Sequence, residues 1–282
     1  MMKLFNRTKS APEEMTLEER LYYYRHRGHV VPSKHILKTP EQIEGIRRSA
    51  AVNTAVLDMV AAHIREGIST GEIDRLVYDF TVSHGAIPAP LNYEGFPKSV
   101  CTSINEEECH GIPDDDIVLQ EGDIVNVDVS TILNGYYSDA SRMFMIGSVR
   151  PACKRLVEVA KECLERGIAA AQPWGFLGDI GEAIQSHAEA NGFSVVRDFC
   201  GHGVGLKFHE KPEVEHVGRK GSGMLLVPGM IFTIEPMINM GSYKVYVDSD
   251  NEWTVLTEDG KPSAQWENTI LITPNGVEIL TY

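Results

Sequence analysis

Two stretches of this chain return at one fixed spacing. Gly71-Glu-Ile73 reappears as Gly178-Asp-Ile180, and Gly122-Asp-Ile-Val-Asn-Val-Asp128 reappears as Gly229-Met-Ile-Phe-Thr-Ile-Glu235, each 107 residues later. One shift shared by two separate stretches indicates a duplicated unit. The chain is therefore expected to fold as two related halves, roughly 39–150 and 151–282, each with two helices followed by strands. Asp128 and Glu235 fall at matching positions, so each half offers a carboxylate.

The first of these strands continues into a hairpin. Residues 124–132 alternate polar and apolar side chains, Asn134-Gly135 is a two-residue turn, and the return strand runs over 136–146. That turn places Leu133 opposite Tyr136 and hence Ser130 opposite Asp139. Asp128 shares a face with Ser130, because side chains alternate along a strand. Asp128 and Asp139 become diagonal neighbours, roughly 7–8 Å apart at the backbone. Two acids that close on an inner sheet face repel unless a cation lies between them.

Helices are expected where apolar residues recur at helical spacing. The first opens at Thr39-Pro40, a cap followed by a first-turn proline, and carries Val52, Val56, Met59 and Val60. A second spans 72–83, a third the 154–171 region and a fourth 178–190. Further strands are expected around 230–238 and 266–272, with a hairpin over 244–257. Residues 86–118 hold four prolines and read as loop-rich, as binding segments often are. Its acid runs, Glu106 to Glu108 and Asp114 to Asp116, are expected to be solvated.

The net charge of −14 argues against general nucleic-acid binding, and no DNA partner is expected. Residues 1–38 differ. They carry eight Lys or Arg against four Glu, with aromatics interleaved in Tyr22-Tyr-Tyr-Arg-His-Arg-Gly-His29. This basic, aromatic extension is expected either to pack on the catalytic domain, 39–282, or to touch RNA or the ribosome through phosphates. No apolar run approaches 18 residues, so no membrane span is expected, and no secretory signal is read at the N-terminus. Five cysteines, odd in number and without a CxxC pair, suit free thiols in a reducing cytoplasm.

Five residues gather the chemistry: Asp128, Asp139, His202, Glu235 and Glu267. Glycines flank His202 in Gly201-His-Gly-Val-Gly205 and bare the backbone for a close approach. Glu235 and Glu267 lie in runs that read as core strands, where acids require partners. Four carboxylates carry −4, which two divalent ions balance, and such a pair activates water for hydrolysis. One imidazole among many oxygens suits Co, Mn, Fe or Zn rather than a thiolate-bound metal.

The contexts of those five residues are Asn-Val-Asp128-Val, Ser-Asp139-Ala-Ser, Gly-His202-Gly-Val-Gly, Thr-Ile-Glu235-Pro-Met and Trp-Glu267-Asn-Thr. Together with Asn92-Tyr-Glu-Gly-Phe-Pro-Lys-Ser-Val-Cys101, Cys109-His-Gly-Ile-Pro-Asp114 and Phe208-His-Glu-Lys-Pro212 they resemble the type I methionine aminopeptidases, from about Leu37 to Tyr282. The resemblance implies the pita-bread (creatinase/aminopeptidase) fold, an α/β domain with two pseudo-symmetric halves around an antiparallel sheet. It implies a cytoplasmic, usually monomeric enzyme that removes the initiator methionine from nascent polypeptide N-termini with a small second residue, by attack of a metal-bridging hydroxide.

By the same resemblance Asp128 chelates one ion, Asp139 and Glu267 bridge both, and His202 and Glu235 bind the other. Glu235 also shuttles a proton, and His110 and His209 steady the substrate amide. The methionine pocket takes Tyr93, Phe96, Cys101, Phe208 and Trp253. Three features depart from the family pattern: Asn268 and Glu94 each stand where His is common, and Glu107 and Glu108 replace apolar residues. Two other functions compete: a prolidase or X-Pro aminopeptidase of the same fold, and a metal-free pseudopeptidase that grips ribosomes or RNA.

Overall fold

The computed structural model describes residues 15–282; the basic residues Lys3, Arg7 and Lys9 of the extension lie outside the described residues. Helix α1 (Leu17–Arg25) precedes four longer ones, α2 (Pro40–His63), α3 (Thr70–Ser83), α4 (Pro151–Ala170) and α5 (Leu177–Ala190). The strands of the first half are β1 (Ile87–Pro88), β2 (Cys101–Ile104), β3 (Glu107–Cys109), β4 (Ile124–Leu133) and β5 (Tyr136–Met145). The second half adds β6 (Ser194–Val195), β7 (Gly201–Gly203), β8 (Glu210–Val214), β9 (Ile231–Ile234), β10 (Met237–Asn239), β11 (Val245–Val247), β12 (Val255–Thr257), β13 (Ser263–Gln265), β14 (Asn268–Thr273) and β15 (Gly276–Ile279).

Strands β1, β4 and β2 form one sheet with β5 on β4, and β15-β14-β9-β7-β8 form another. Two smaller sheets, β13-β10-β6 and β11-β12-β3, close the ends. The halves meet along the free edge of β5. There the Tyr137 amide donates to the Gly205 carbonyl at 2.9 Å and the Glu267 amide to the Ser141 carbonyl at 3.2 Å. The Thr269 hydroxyl donates to the Asp139 carbonyl at 2.7 Å. This seam is where the acids of both halves converge.

The hairpin register is the expected one: Leu133 faces Tyr136 and Ser130 faces Asp139. Asn134 and Gly135 sit at φ 52° and 82°, the left-handed values that a two-residue turn of this hand demands. Helix α2 starts on the expected Thr39 cap, whose side chain accepts from the Gln42 amide at 3.3 Å. It lies across the hairpin, where Ser49 contacts Thr131 and Ser138 hydroxyls and the Asn53 amide donates to the Val129 carbonyl. Each half has its own core. In the first, Val56, Leu57, Ile73 and Val77 pack on Val125, Val127 and Val129. In the second, Leu156, Ala160, Ile180 and Ile184 pack on Phe232, Ile234 and Ile270.

The duplication is visible in backbone detail. Gly122 and Gly229 adopt φ 97° and 96°, and their amides donate at 2.8 Å to Ile146 and Ile272 respectively. Gly71 and Gly178 each occupy the second position of a helix, α3 and α5, where a Cβ would meet Asp115 or Ser222.

Two expectations need correction. Glu108 is 1% exposed and Glu107 is half-buried, accepting from the Ile104 amide at 2.8 Å, whereas Glu106 and Asp114 to Asp116 are exposed. On the three-residue strand β3 the run cannot keep every side chain on the wet face, because successive residues alternate. Burial pushes the Glu108 carboxyl up to about 7. The strand expected over 230–238 is also broken, into β9 and β10, because Pro236 has no amide to donate.

The described part of the extension lies on the second half. Leu21 joins the core there, Tyr24 stacks on Trp174, and the Arg20 guanidinium sits 3.7 Å from the centre of the Trp174 ring. The Leu225 amide donates to the Val30 carbonyl at 2.9 Å, and Lys38 Nζ reaches Glu210 at 2.8 Å. Leu21→Ala is accordingly expected to destabilise the fold by about 2–5 kcal/mol, the usual cost of a core cavity. Thermal unfolding would show the loss; an unchanged midpoint would mean that α1 contributes no packing energy.

Candidate active site

The four acids are delivered by two structural devices. Asp128 and Asp139 come from the hairpin, paired with Ser141 and Ser130 across the ladder. The Ser130 hydroxyl donates to Asp139 Oδ1 at 2.7 Å and orients it. Glu235 and Glu267 sit in the two breaks where the chain passes between the small sheet and the large one, after β9 and before β14. Strand breaks release these carboxylates from the in-out alternation of a ladder. Thr233 donates to Glu235 Oε1 at 2.6 Å and Gln265 to its Oε2 at 3.2 Å, which holds the carboxylate still.

His202 is carried by β7 between two glycines. A Cβ at Gly203 would lie 2.2 Å from the Lys211 carbonyl, and one at Gly201 2.6 Å from that of Thr233, so β7 packs too closely for side chains there. His202 Nδ1 lies 3.0 Å from the Gly203 carbonyl. With the proton donated from Nδ1, the Nε2 lone pair is left for a cation. It points between Asp139 Oδ2, at 3.6 Å, and Glu235 Oε1, at 3.7 Å.

Those separations are too long for hydrogen bonds. They suit donors that share one ion with bonds of about 2.0–2.2 Å. Ligand atoms of Asp139, His202 and Glu267 all lie within 4.8 Å of one another. Buried Asp128 Oδ1 and Glu267 Oε1 have no hydrogen-bond partner. A buried acceptor left bare costs free energy that a cation recovers. The donor set therefore fits divalent metal.

The electrostatics agree. Burial pushes Asp128 up to about 7 and Glu235 up to about 8. Asp139 and Glu267 are raised as well, by burial first and by neighbouring carboxylates second. Burial also presses His202 down to about 3, so its imidazole stays neutral and available as a ligand.

A cavity of about 450 Å³ opens over this cluster, lined by all twelve residues singled out from the sequence: the four acids and one imidazole, His110, His209, Tyr93, Phe96, Cys101, Phe208 and Trp253. His209 Nδ1 lies 3.1 Å from the Tyr93 hydroxyl, and its ring is 4.2 Å from that of His202. His110 takes a left-handed backbone, φ 57°, and faces Phe199 and Trp253. Burial lowers it to about 4. Phe96 meets Trp253 edge-on at 5.2 Å, and Phe208 meets Tyr93 at 4.9 Å.

Sequence reading missed several contributors. Thr233 and Gln265 orient Glu235, and both were within two residues of a named acid. Met237, Asp198, Phe199 and Cys200 also line the cavity. His216 is fully buried and neutral, and its Nε2 accepts the Glu235 amide at 3.1 Å. It takes the donor that the strand break strands, and nothing in its local sequence marks it.

Residues 44–274 match the profile of metallopeptidase family M24. A Synechocystis protein named methionine aminopeptidase A is 53% identical over 245 residues, 87% of this chain and 96% of its own length. The crystal structure of methionine aminopeptidase from Rickettsia prowazekii superposes with a TM-score of 0.86 at 47% identity, covering 87% of this chain and 99% of that one. A prolidase from Pyrococcus furiosus shares the fold at a TM-score of 0.68, with 24% identity and 65% of its chain covered. The architecture is thus the pita-bread fold, and the chain belongs to metallopeptidase family M24.

Proposed function

We propose that the protein is a methionyl aminopeptidase that removes N-terminal methionine from nascent chains whose second residue is small. The convergence of four carboxylates, three of them buried and Asp128 half-buried, and one neutral imidazole beneath an aromatic pocket carries this reading. Two divalent ions, of Co, Mn, Fe or Zn, would be held by Asp128, Asp139, His202, Glu235 and Glu267. When bound they would lower the pKa of a shared water towards neutrality and polarise a peptide carbonyl.

The chain's own groups do the rest. Tyr93, Phe96, Cys101, Phe208 and Trp253 enclose a methionine side chain, whose polarizable sulfur suits aromatic edges. His110, lowered to about 4 by burial, and His209, lowered chiefly by the partial burial of its ring, present N–H donors to the scissile carbonyl oxygen as it gains charge. If His209 Nδ1 accepts from Tyr93, its Nε2–H faces the cleft. Glu235 Oε1 and Oε2, braced by Thr233 and Gln265, accept a proton and pass it to the leaving amine.

Among the described residues no helix is long and apolar enough to cross a membrane. A cytoplasmic monomer meeting chains as they leave the ribosome suits that reading. The test is cleavage of Met-Ala-Ser against Ala-Pro-Ala by the metal-repleted protein. Methionine release from the first alone is expected. Preferential cleavage of the second would make the protein an X-Pro peptidase.

A further inference from the structure

Lys38 is the one buried lysine or arginine among the described residues. Its Nζ lies 2.8 Å from Glu210 Oε1, and the two side chains are 1% and 17% exposed. Taking both charges out of water offsets much of their attraction, so such a pair fixes geometry more than it stabilises. What this pair fixes is the loop between β7 and β8. Glu210 opens β8 opposite Gly203 of β7, and residues 204–209 lie between them.

The clamp has a firm base. The Lys38 amide donates to the Gly229 carbonyl at 2.8 Å, and Thr39, the cap of α2, follows at once. The lysine stem then runs against the loop, where a Cβ at Gly205 would lie 3.4 Å from Lys38 Cε. Glu210 Oε1 accepts from both Lys38 Nζ and the Leu206 amide, the latter at 3.1 Å, so one oxygen gathers the two ends of the loop.

That loop brings Phe208 and His209 to the cleft. Phe208 rests against two rings, Tyr93 at 4.9 Å and Tyr137 at 6.2 Å. His209 is exposed, and among the described residues its side chain has one hydrogen-bond contact, with the Tyr93 hydroxyl. It is also the residue joined directly to Glu210. The place of His209 therefore depends on the clamp more than that of Phe208 does.

We infer that Lys38, acting through Glu210, is the positioning residue for His209. This rests on the peptidase reading, in which His209 donates to the scissile carbonyl oxygen. A misplacement of about 1 Å costs on the order of 10²-fold in rate. The loss falls on kcat, because the donor is needed most where charge develops in the transition state.

The test is a double-mutant cycle on the metal-repleted full chain with Met-Ala-Ser. Lys38→Met is expected to lower kcat by about 10- to 10²-fold with KM within about 2-fold and bound metal unchanged by elemental analysis. In a His209→Ala background the same substitution should change kcat by less than about 2-fold, because the group it positions is gone. Equal losses in the two backgrounds, loss of bound metal, or full activity of Lys38→Met each overturn the inference. Lys38→Met combined with Glu210→Gln leaves no unpaired charge buried and keeps an acceptor for the Leu206 amide. It should show the same loss of kcat and serves where the single variant fails to fold. Hydrogen exchange reads the clamp without activity: the Leu206 amide should exchange about 10-fold faster in Lys38→Met, and an unchanged rate also overturns the inference. Failure of the unaltered protein to release methionine would instead overturn the peptidase reading.

Discussion

Alanine at Glu235 is expected to lower kcat/KM for Met-Ala-Ser by about 10²–10⁴-fold, the scale on which a positioned proton carrier acts. Glu235 serves two roles in the proposed chemistry. It completes the donor set around His202, whose Nε2 lies 3.7 Å from its Oε1, and it carries the proton. Glu235→Gln separates them, because it keeps the shape and the Thr233 and Gln265 neighbours while removing the charge. Elemental analysis of both variants should show weakened metal retention, with Gln the milder case. Full activity of the alanine variant after metal repletion would leave Glu235 without the role assigned to it.

Protein stripped of metal by a chelator should lose stability as pH rises from 6.5 to 8.5. Folded Asp128 and Glu235 hold their protons up to about 7 and 8, far above their ordinary values of 3.8 and 4.5. Asp139 and Glu267 are raised too. Below those folded values the native chain binds more protons than the unfolded one, so raising pH favours unfolding. His110, His202 and His216 work in the opposite sense, but only below their ordinary 6.5, because burial keeps them neutral in the fold. The window above 6.5 is therefore governed by the carboxylates.

Saturating divalent metal should flatten most of that slope and raise the unfolding temperature, since a ligand at 1,000 times its Kd adds about 4 kcal/mol. A residual slope from Glu108, raised to about 7 by burial and not among the five proposed ligands, should remain. Each kcal/mol moves the midpoint by roughly 2 °C in a domain of this size. Calorimetry with and without Mn at the two pH values measures both effects. A metal-free midpoint independent of pH would mean that the acids are not buried against one another.

Where the chemistry was set locally, it could be read from residues alone. Asn134-Gly135 dictates a two-residue turn, and from that turn Ser130 must face Asp139. Thr39 and Pro40 dictate the start of α2 in the same way. The 107-residue echo was legible because both copies kept a glycine where the backbone needs φ near +97°. Reading Asp128, Asp139, His202, Glu235 and Glu267 as one set was possible because their contexts resemble a known family. Geometry by itself could have paired only the two acids of the hairpin.

What the order of residues determined was each element, its caps, its turns and the face each side chain takes within its own strand. Only the folded chain decided that β5 offers its free edge to the segment after β7 and to β14, which brings His202, Glu235 and Glu267 to the hairpin acids. It also decided that Glu108 turns inward and that His216 accepts the Glu235 amide. Such contacts join residues far apart in sequence, and their energy depends on what lies across the gap. A run of neighbours specifies its own backbone preferences; it carries no record of the surface that will meet it.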